Sequence, residues 1–184
     1  MGKNIKYKNR RIGEIKMLIM PIKNYFDIAI YRKQIIKEIE EKVKNINGFA
    51  PIPNILINPQ MSTYKQDIII SHKKLWYWIA YNIILNKDES IGKFDYFYKY
   101  KNTKRPHNLC YCCEYTLNKN KGCEACPLVF KNPNKEAIKC GVSTNHHNYK
   151  SYSYFTLYTI AKTWQSKFYY AYKIAELEER EEIE

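Results

Sequence analysis

"SHKKLWYWIAYNIIL", Ser71 to Leu85, carries two of the chain's three tryptophans and contains neither proline nor glycine. Leu75, Trp76, Trp78, Ile79, Ile83 and Leu85 recur at the spacing of a broad apolar helical face, and Ser71 is a residue type that caps helix starts. A buried helix beginning at Ser71 is the expectation. Its tryptophans are read first as core; a platform for stacked bases is the sharper reading, and it requires exposed rings.

Helical periodicity also governs the flanks of that stretch. From Phe26 to Asn47, Ile28, Tyr31, Ile35, Ile39, Val43 and Ile46 fall on one face, with Gly48 placed to cap the end. From about Tyr154 to Leu177, Leu157, Ala161, Trp164, Phe168, Ala171, Tyr172 and Ala175 do the same, predicting the longest helix of the chain. Between the first two helices, "FAPIPNILINPQ" forces an extended connection through its three prolines. "EIKMLIMPI" reads as a short strand. The fold class is therefore mainly α, with α+β as the alternative: one helical domain with a small β element.

At 184 residues, 45% hydrophobic and 15% aromatic, the chain can bury a core of its own and is not a disordered sequence. Residues 14–175 are expected to form one compact domain. Residues 1–13, "MGKNIKYKNRRIG", read as a flexible basic arm, and 176–184, "ELEEREEIE", as an acidic helix end whose glutamates oppose the macrodipole and fray the last turns. No apolar run reaches the roughly 18–20 residues that span a bilayer, and "MLIMPI" is too short for a convincing signal sequence. The expected setting is a cytoplasm, where structural disulfides are rare.

Five of the six cysteines lie in "CYCCEYTLNKNKGCEACP", Cys110 to Pro127. Cys110 and Cys113 make one C-x2-C, Cys123 and Cys126 a second, with nine residues between the pairs. Two such turns facing one another supply four thiolates in tetrahedral array, so a structural Zn2+ site within a knuckle-like module at about 107–140 is the leading reading. Cys110, Cys113, Cys123 and Cys126 are the best single set. Cys112, Cys140 and His107 stand as spare ligands, as do His146 and His147, and an iron–sulfur cluster is the alternative metal centre.

Taken together, "HKKLWYW", "CYCCEY", "CEACPL", the later Cys140 and the helix bearing Trp164 resemble a group of small, uncharacterised phage and prophage proteins. The likeness covers roughly residues 70–170. It implies a zinc-knuckle-like element packed on helices and a phage or prophage origin, in a bacterial host cell. It supplies no activity.

Enzyme signatures are missing. There is no Walker loop, no G-x-S-x-G and no H-x-E of a zinc deaminase, and nine residues leave no room for the catalytic hairpin of an HNH nuclease between the cysteine pairs. A non-enzymatic binding protein is the expectation. The formal charge of +13 attracts polyanions, although codon usage in an AT-rich genome also raises lysine. Nucleic acid, DNA or RNA, is the expected partner, met by Lys99, Lys101, Lys104 and Arg105 beside Tyr98 and Tyr100, with Arg10 and Arg11 of the arm. The alternative is a phage counter-defence inhibitor, anti-CRISPR-like, that binds a host effector nuclease or its guide complex, its glutamate run imitating nucleic acid.

Overall fold

The computed structural model describes residues 25–46, 65–100, 106, 109–131, 140–141 and 152–180. The basic arm, the "EIKMLIMPI" strand, the proline-rich connection and Gly48 lie outside the described residues. Seven helices and one two-stranded sheet are present among those described: α1 (Tyr25–Ile30), α2 (Arg32–Asn45), α3 (Lys65–Asn86), α4 (Lys93–Lys99), α5 (Tyr111–Asn118), β1 (Leu128–Val129), α6 (Tyr154–Ile160), α7 (Trp164–Ala175) and β2 (Glu178–Glu179). The fold is mainly α with a small β element.

α3 is the axis. Ile68, Ile69, His72 and every residue from Lys74 to Ala80 are buried, because α2, α4, α5 and α7 all pack against it. A helix that is apolar on nearly all sides is stable in water only when surrounded in this way. Ser71 is not its cap: the helix already runs from Lys65, placing Ser71 in its second turn. Both tryptophans are core, Trp76 at 1% exposure and Trp78 at 4%, which excludes them as stacking surfaces. Trp76 meets Tyr158 edge-on at 5.0 Å and Phe155 at 6.0 Å, and Trp78 meets Tyr96 at 5.4 Å, the offset geometries that aromatic quadrupoles prefer.

α7 lies antiparallel to α3. Lys65 donates to the Arg180 carbonyl, His72 pairs with Ile174, and Tyr77 stacks edge-on to Tyr172, so one sequence number falls as the other rises. α2 is antiparallel to α3 on the same grounds, through Arg32 with Ile84 and Glu40 with Tyr81. Arg32 closes the end of α3 by donating to the carbonyls of Ile84 (2.7 Å) and Leu85 (2.5 Å), which the helix itself leaves unpaired. Losing these two charge-assisted bonds in Arg32→Ala is expected to cost about 1–3 kcal/mol, read as a lowered urea midpoint. Arg32→Lys should recover only part of it, since an ammonium lacks the planar fork. An unchanged midpoint for Arg32→Ala would remove the cap from the account.

Both flanking helices are divided where a single one is expected. The first breaks at Tyr31, whose ring is exposed, while Ile35, Ile39 and Val43 enter the core as the periodicity predicts. The last breaks at Ala161–Thr163: Ala161 is extended, and Thr163 caps α7 by accepting from the Ser166 N–H, with Ser166 reaching back in a capping box. Ser153 caps α6 in the same way through Thr156. Hydroxyl side chains offered the backbone a local alternative, and it won over an unbroken apolar stripe.

The described part of the acidic end, Glu176 to Arg180, is not a helix extension. α7 stops at Ala175, Leu177 is buried, and Glu178–Glu179 pair antiparallel with Leu128–Val129, while Arg180 N–H donates to the Pro127 carbonyl. Three of the glutamates face lysines: Glu176 with Lys42 at 2.9 Å, Glu178 with Lys131 at 2.5 Å and Glu179 with Lys73 at 3.5 Å. Tyr77 adds its hydroxyl to Glu176.

Candidate metal centre

Cys110 is the N-cap of α5, so the first cysteine pair lies on a helix start where a turn in a loop was expected. Glu114 N–H bonds the Cys110 carbonyl, fixing the first turn, with Cys112 buried and Cys113 half-buried. The second pair does form a tight turn. Cys123–Ala125 is one turn of 3₁₀ helix, and Cys126 N–H returns to the Cys123 carbonyl at 3.1 Å. Pro127 and β1 follow directly, so pairing with β2 anchors the turn.

His72 completes the group from α3. Its Nδ1 lies 3.6 Å from the Cys112 sulfur and its Nε2 lies 3.2 Å from the Ile174 carbonyl. A carbonyl only accepts, so Nε2 carries a proton, which leaves Nδ1 as the ring nitrogen facing the thiols. This carbonyl-to-imidazole arrangement fixes tautomer and ring angle at metal-ligating histidines. The partner carbonyl belongs to the last turn of α7, one of the acceptors a helix end leaves over.

The ligand atoms of His72, Cys110 and Cys112 all lie within 4.8 Å of one another, a cluster that can hold a metal ion. In a tetrahedral site with bonds of about 2.0–2.3 Å, ligand atoms stand roughly 3.3–3.8 Å apart, and the His72–Cys112 distance falls in that range. Around the three, Cys126 is in hydrogen-bond reach of Cys112, and Cys113 of Cys110. Hydrogen bonds from Cys112 and Cys113, and then from His72, hold the Cys110 thiol well below its usual range against the opposing effect of burial, with a smaller contribution from the Lys93 charge. Cys126 is lowered too, first by Cys112 and then by the Leu128 amide, while Cys112, donating to both, is pushed well up. Thiols gathered this closely, with Cys110 and Cys126 lowered on either side of Cys112, favour thiolate character where a cation would sit.

The other expected ligands are distributed as follows. Cys140, in a turn with Gly141, is near enough to feel Cys110, Cys123 and Cys126, and burial first of all pushes it up to about 11. Cys123 is exposed. Thus Cys110 of the expected four is in the close group, Cys126 adjoins it, Cys113 stands beside Cys110, and Cys112, a spare candidate, is at the centre. His107, His146 and His147 lie outside the described residues.

Of the expected nucleic-acid residues, Tyr98 and Lys99 are exposed on α4, and Tyr100 is half-buried, its ring 6.3 Å from that of Trp78 and 4.9 Å from that of Tyr96. Lys101, Lys104, Arg105, Arg10 and Arg11 lie outside the described residues. His72 was legible only indirectly. It is a lone imidazole in the stripe Ile68, His72, Leu75, Ile79, and a polar side chain buried in such a stripe needs a partner.

No family model matches the chain, and no curated protein or solved structure is significantly similar to it. Among the described residues, no helix is long and apolar enough to cross a membrane.

Proposed function

We propose that the chain is a zinc-stabilised, non-enzymatic basic protein of phage or prophage origin that binds nucleic acid in the host cytoplasm. Zn2+ suits the donor set, thiolates and an imidazole of borderline softness. His72, Cys110 and Cys112 would hold it, with Cys126 as the fourth ligand because it adjoins Cys112 and is the second lowered thiol. A saturated four-ligand site leaves no position for water or substrate, so its contribution is folding free energy.

One observation carries the choice of ligand: the described glutamates of the acidic run are turned onto Lys42, Lys131 and Lys73 of the protein itself. Paired in this way, they make a poor imitation of a phosphate backbone and leave the formal surplus of +13 to the remaining surface. That favours a polyanion as partner over a mimic of one.

Fluorescence anisotropy with labelled single-stranded DNA, duplex DNA and RNA across a salt series tests this. The expected result is binding at physiological salt tighter than the roughly 10⁻⁴–10⁻⁶ M of a non-specific basic surface, with a log affinity against log salt slope of several units. Affinity no better than that for every probe, together with stoichiometric capture of one host nuclease, would instead establish the inhibitor reading.

A further inference from the structure

Lys93, the first residue of α4, holds a cation that core packing does not account for. The residue is half-buried, and its ammonium lies 4.5 Å from the centre of the Phe155 ring and 5.4 Å from that of Trp76. The helix start that carries it is fixed: Asp95 accepts the Gly92 N–H at 2.8 Å, and the Tyr158 hydroxyl donates to the Ile91 carbonyl at 3.0 Å. Asp95 is thereby engaged with the backbone, and among the described residues no carboxylate pairs with Lys93. Ring faces attract an ammonium without neutralising it, so a partly desolvated charge of this kind calls for a negative partner.

The metal centre supplies one. Trp76 is shared between the two, its ring 5.4 Å from the ammonium and 6.3 Å from the His72 ring. The Lys93 charge is felt at Cys110 and at Cys140, while that of Arg180 is felt at Cys126. A divalent ion on three thiolates and a neutral imidazole leaves one negative charge in excess. Holding that excess against a core of low dielectric is costly unless a cation stands nearby. An unpaired ammonium and a centre with surplus negative charge therefore answer one another.

We infer that Lys93 is the counter-cation of the loaded metal centre, seated on the Trp76 and Phe155 rings beside His72. This rests on the zinc reading above and adds to it a residue outside the ligand set that sets how tightly the ion is held. Lys93 is not a ligand; it acts through its charge.

The test is chelator competition on the zinc-loaded full chain, comparing wild type with Lys93→Met, Lys93→Arg and Lys119→Met. Met keeps an unbranched apolar stem over the rings and removes the charge, whereas Arg keeps the charge and stacks on aromatic faces. Lys119 is the control, an ammonium 4.5 Å from the Tyr115 ring at the end of the cysteine-bearing helix α5. Lys93→Met is expected to bind zinc on the order of 10-fold more weakly, the scale of losses seen when groups supporting metal ligands are removed. Lys93→Arg and Lys119→Met should hold zinc as wild type does. Cobalt(II) in Lys93→Met should give the wild-type charge-transfer spectrum, because the ligands are unchanged. Urea unfolding of the metal-stripped proteins separates charge from packing: a lysine that only braces the rings would lower that midpoint and leave zinc affinity alone. Zinc held by Lys93→Met as tightly as by wild type, or weakened equally in Lys93→Arg or Lys119→Met, would overturn the counter-cation while leaving the metal centre intact. Failure of wild type to bind zinc would overturn both.

Discussion

Purified from zinc-supplemented cells, the protein is expected to carry one equivalent of zinc, and stripping it with a chelator should lower the thermal midpoint by about 10 °C. Structural zinc supplies about 10–16 kcal/mol in small peptides with no core of their own. Here α3 and α7 bury a core independently, so a loss of about 3–5 kcal/mol is the reasonable scale, at roughly 2–4 °C per kcal/mol for a chain of this size. The variants separate the ligand sets. His72→Ala and Cys112→Ser should lose the metal, whereas Cys123→Ser, altering an exposed thiol, should keep it. Cobalt(II) substitution provides the second readout, because sulfur-to-cobalt charge transfer grows with the number of thiolates bound. If Cys123→Ser loses the metal and His72→Ala does not, the ligands are Cys110, Cys113, Cys123 and Cys126, and His72 is a core histidine satisfied by Ile174. Iron in place of zinc would declare itself by visible absorption of the isolated protein.

Trp76→Ala is expected to be the most damaging single substitution in the core, costing about 3–5 kcal/mol, a large part of the total stability of a domain. Trp76 is among the largest fully buried side chains and touches three layers: His72 on its own helix, Tyr158 and Phe155 on α6, and Lys93 at the start of α4. Truncation leaves a cavity bordered by rings that cannot collapse without leaving their edge-on contacts. Trp76→Phe keeps most of the volume and should cost well under half as much. Equilibrium urea unfolding measures both, and a Trp76→Ala midpoint within error of wild type would mean that α6 and α4 are held by something other than this ring.

The central helix was readable because its signal is dense: "LWYWIA" has no polar residue to place on a solvent face, so burial on all sides was the only stable outcome. The gathering of the cysteines was equally plain. Which of them stand closest was not, because spacing describes a loop and Cys110–Cys113 lies on a helix start, where the inward direction fell to Cys112. His72 sits 40 positions from Cys112, and only the packing of α3 against α5 and α7 joins them. The divided helices were lost to local competition. Thr163 and Ser166 form a capping box within an apolar stripe, and periodicity does not register a cap placed between two in-phase helices. The acidic run misled for a related reason: glutamates repelled from a helix end found lysines and a strand partner instead.

The carbonyl that orients His72 and the strand that braces the Cys123–Cys126 turn both come from residues 174–179. During synthesis, then, a ribosome that has already released all six cysteines still holds the parts that set their geometry. The nascent chain carries a complement of unordered thiols through that interval, before the His72, Cys110 and Cys112 cluster that can hold a metal ion is assembled. Slow codons or stalling downstream of Cys140 would lengthen the period in which those thiols are open to oxidation or to the wrong ion.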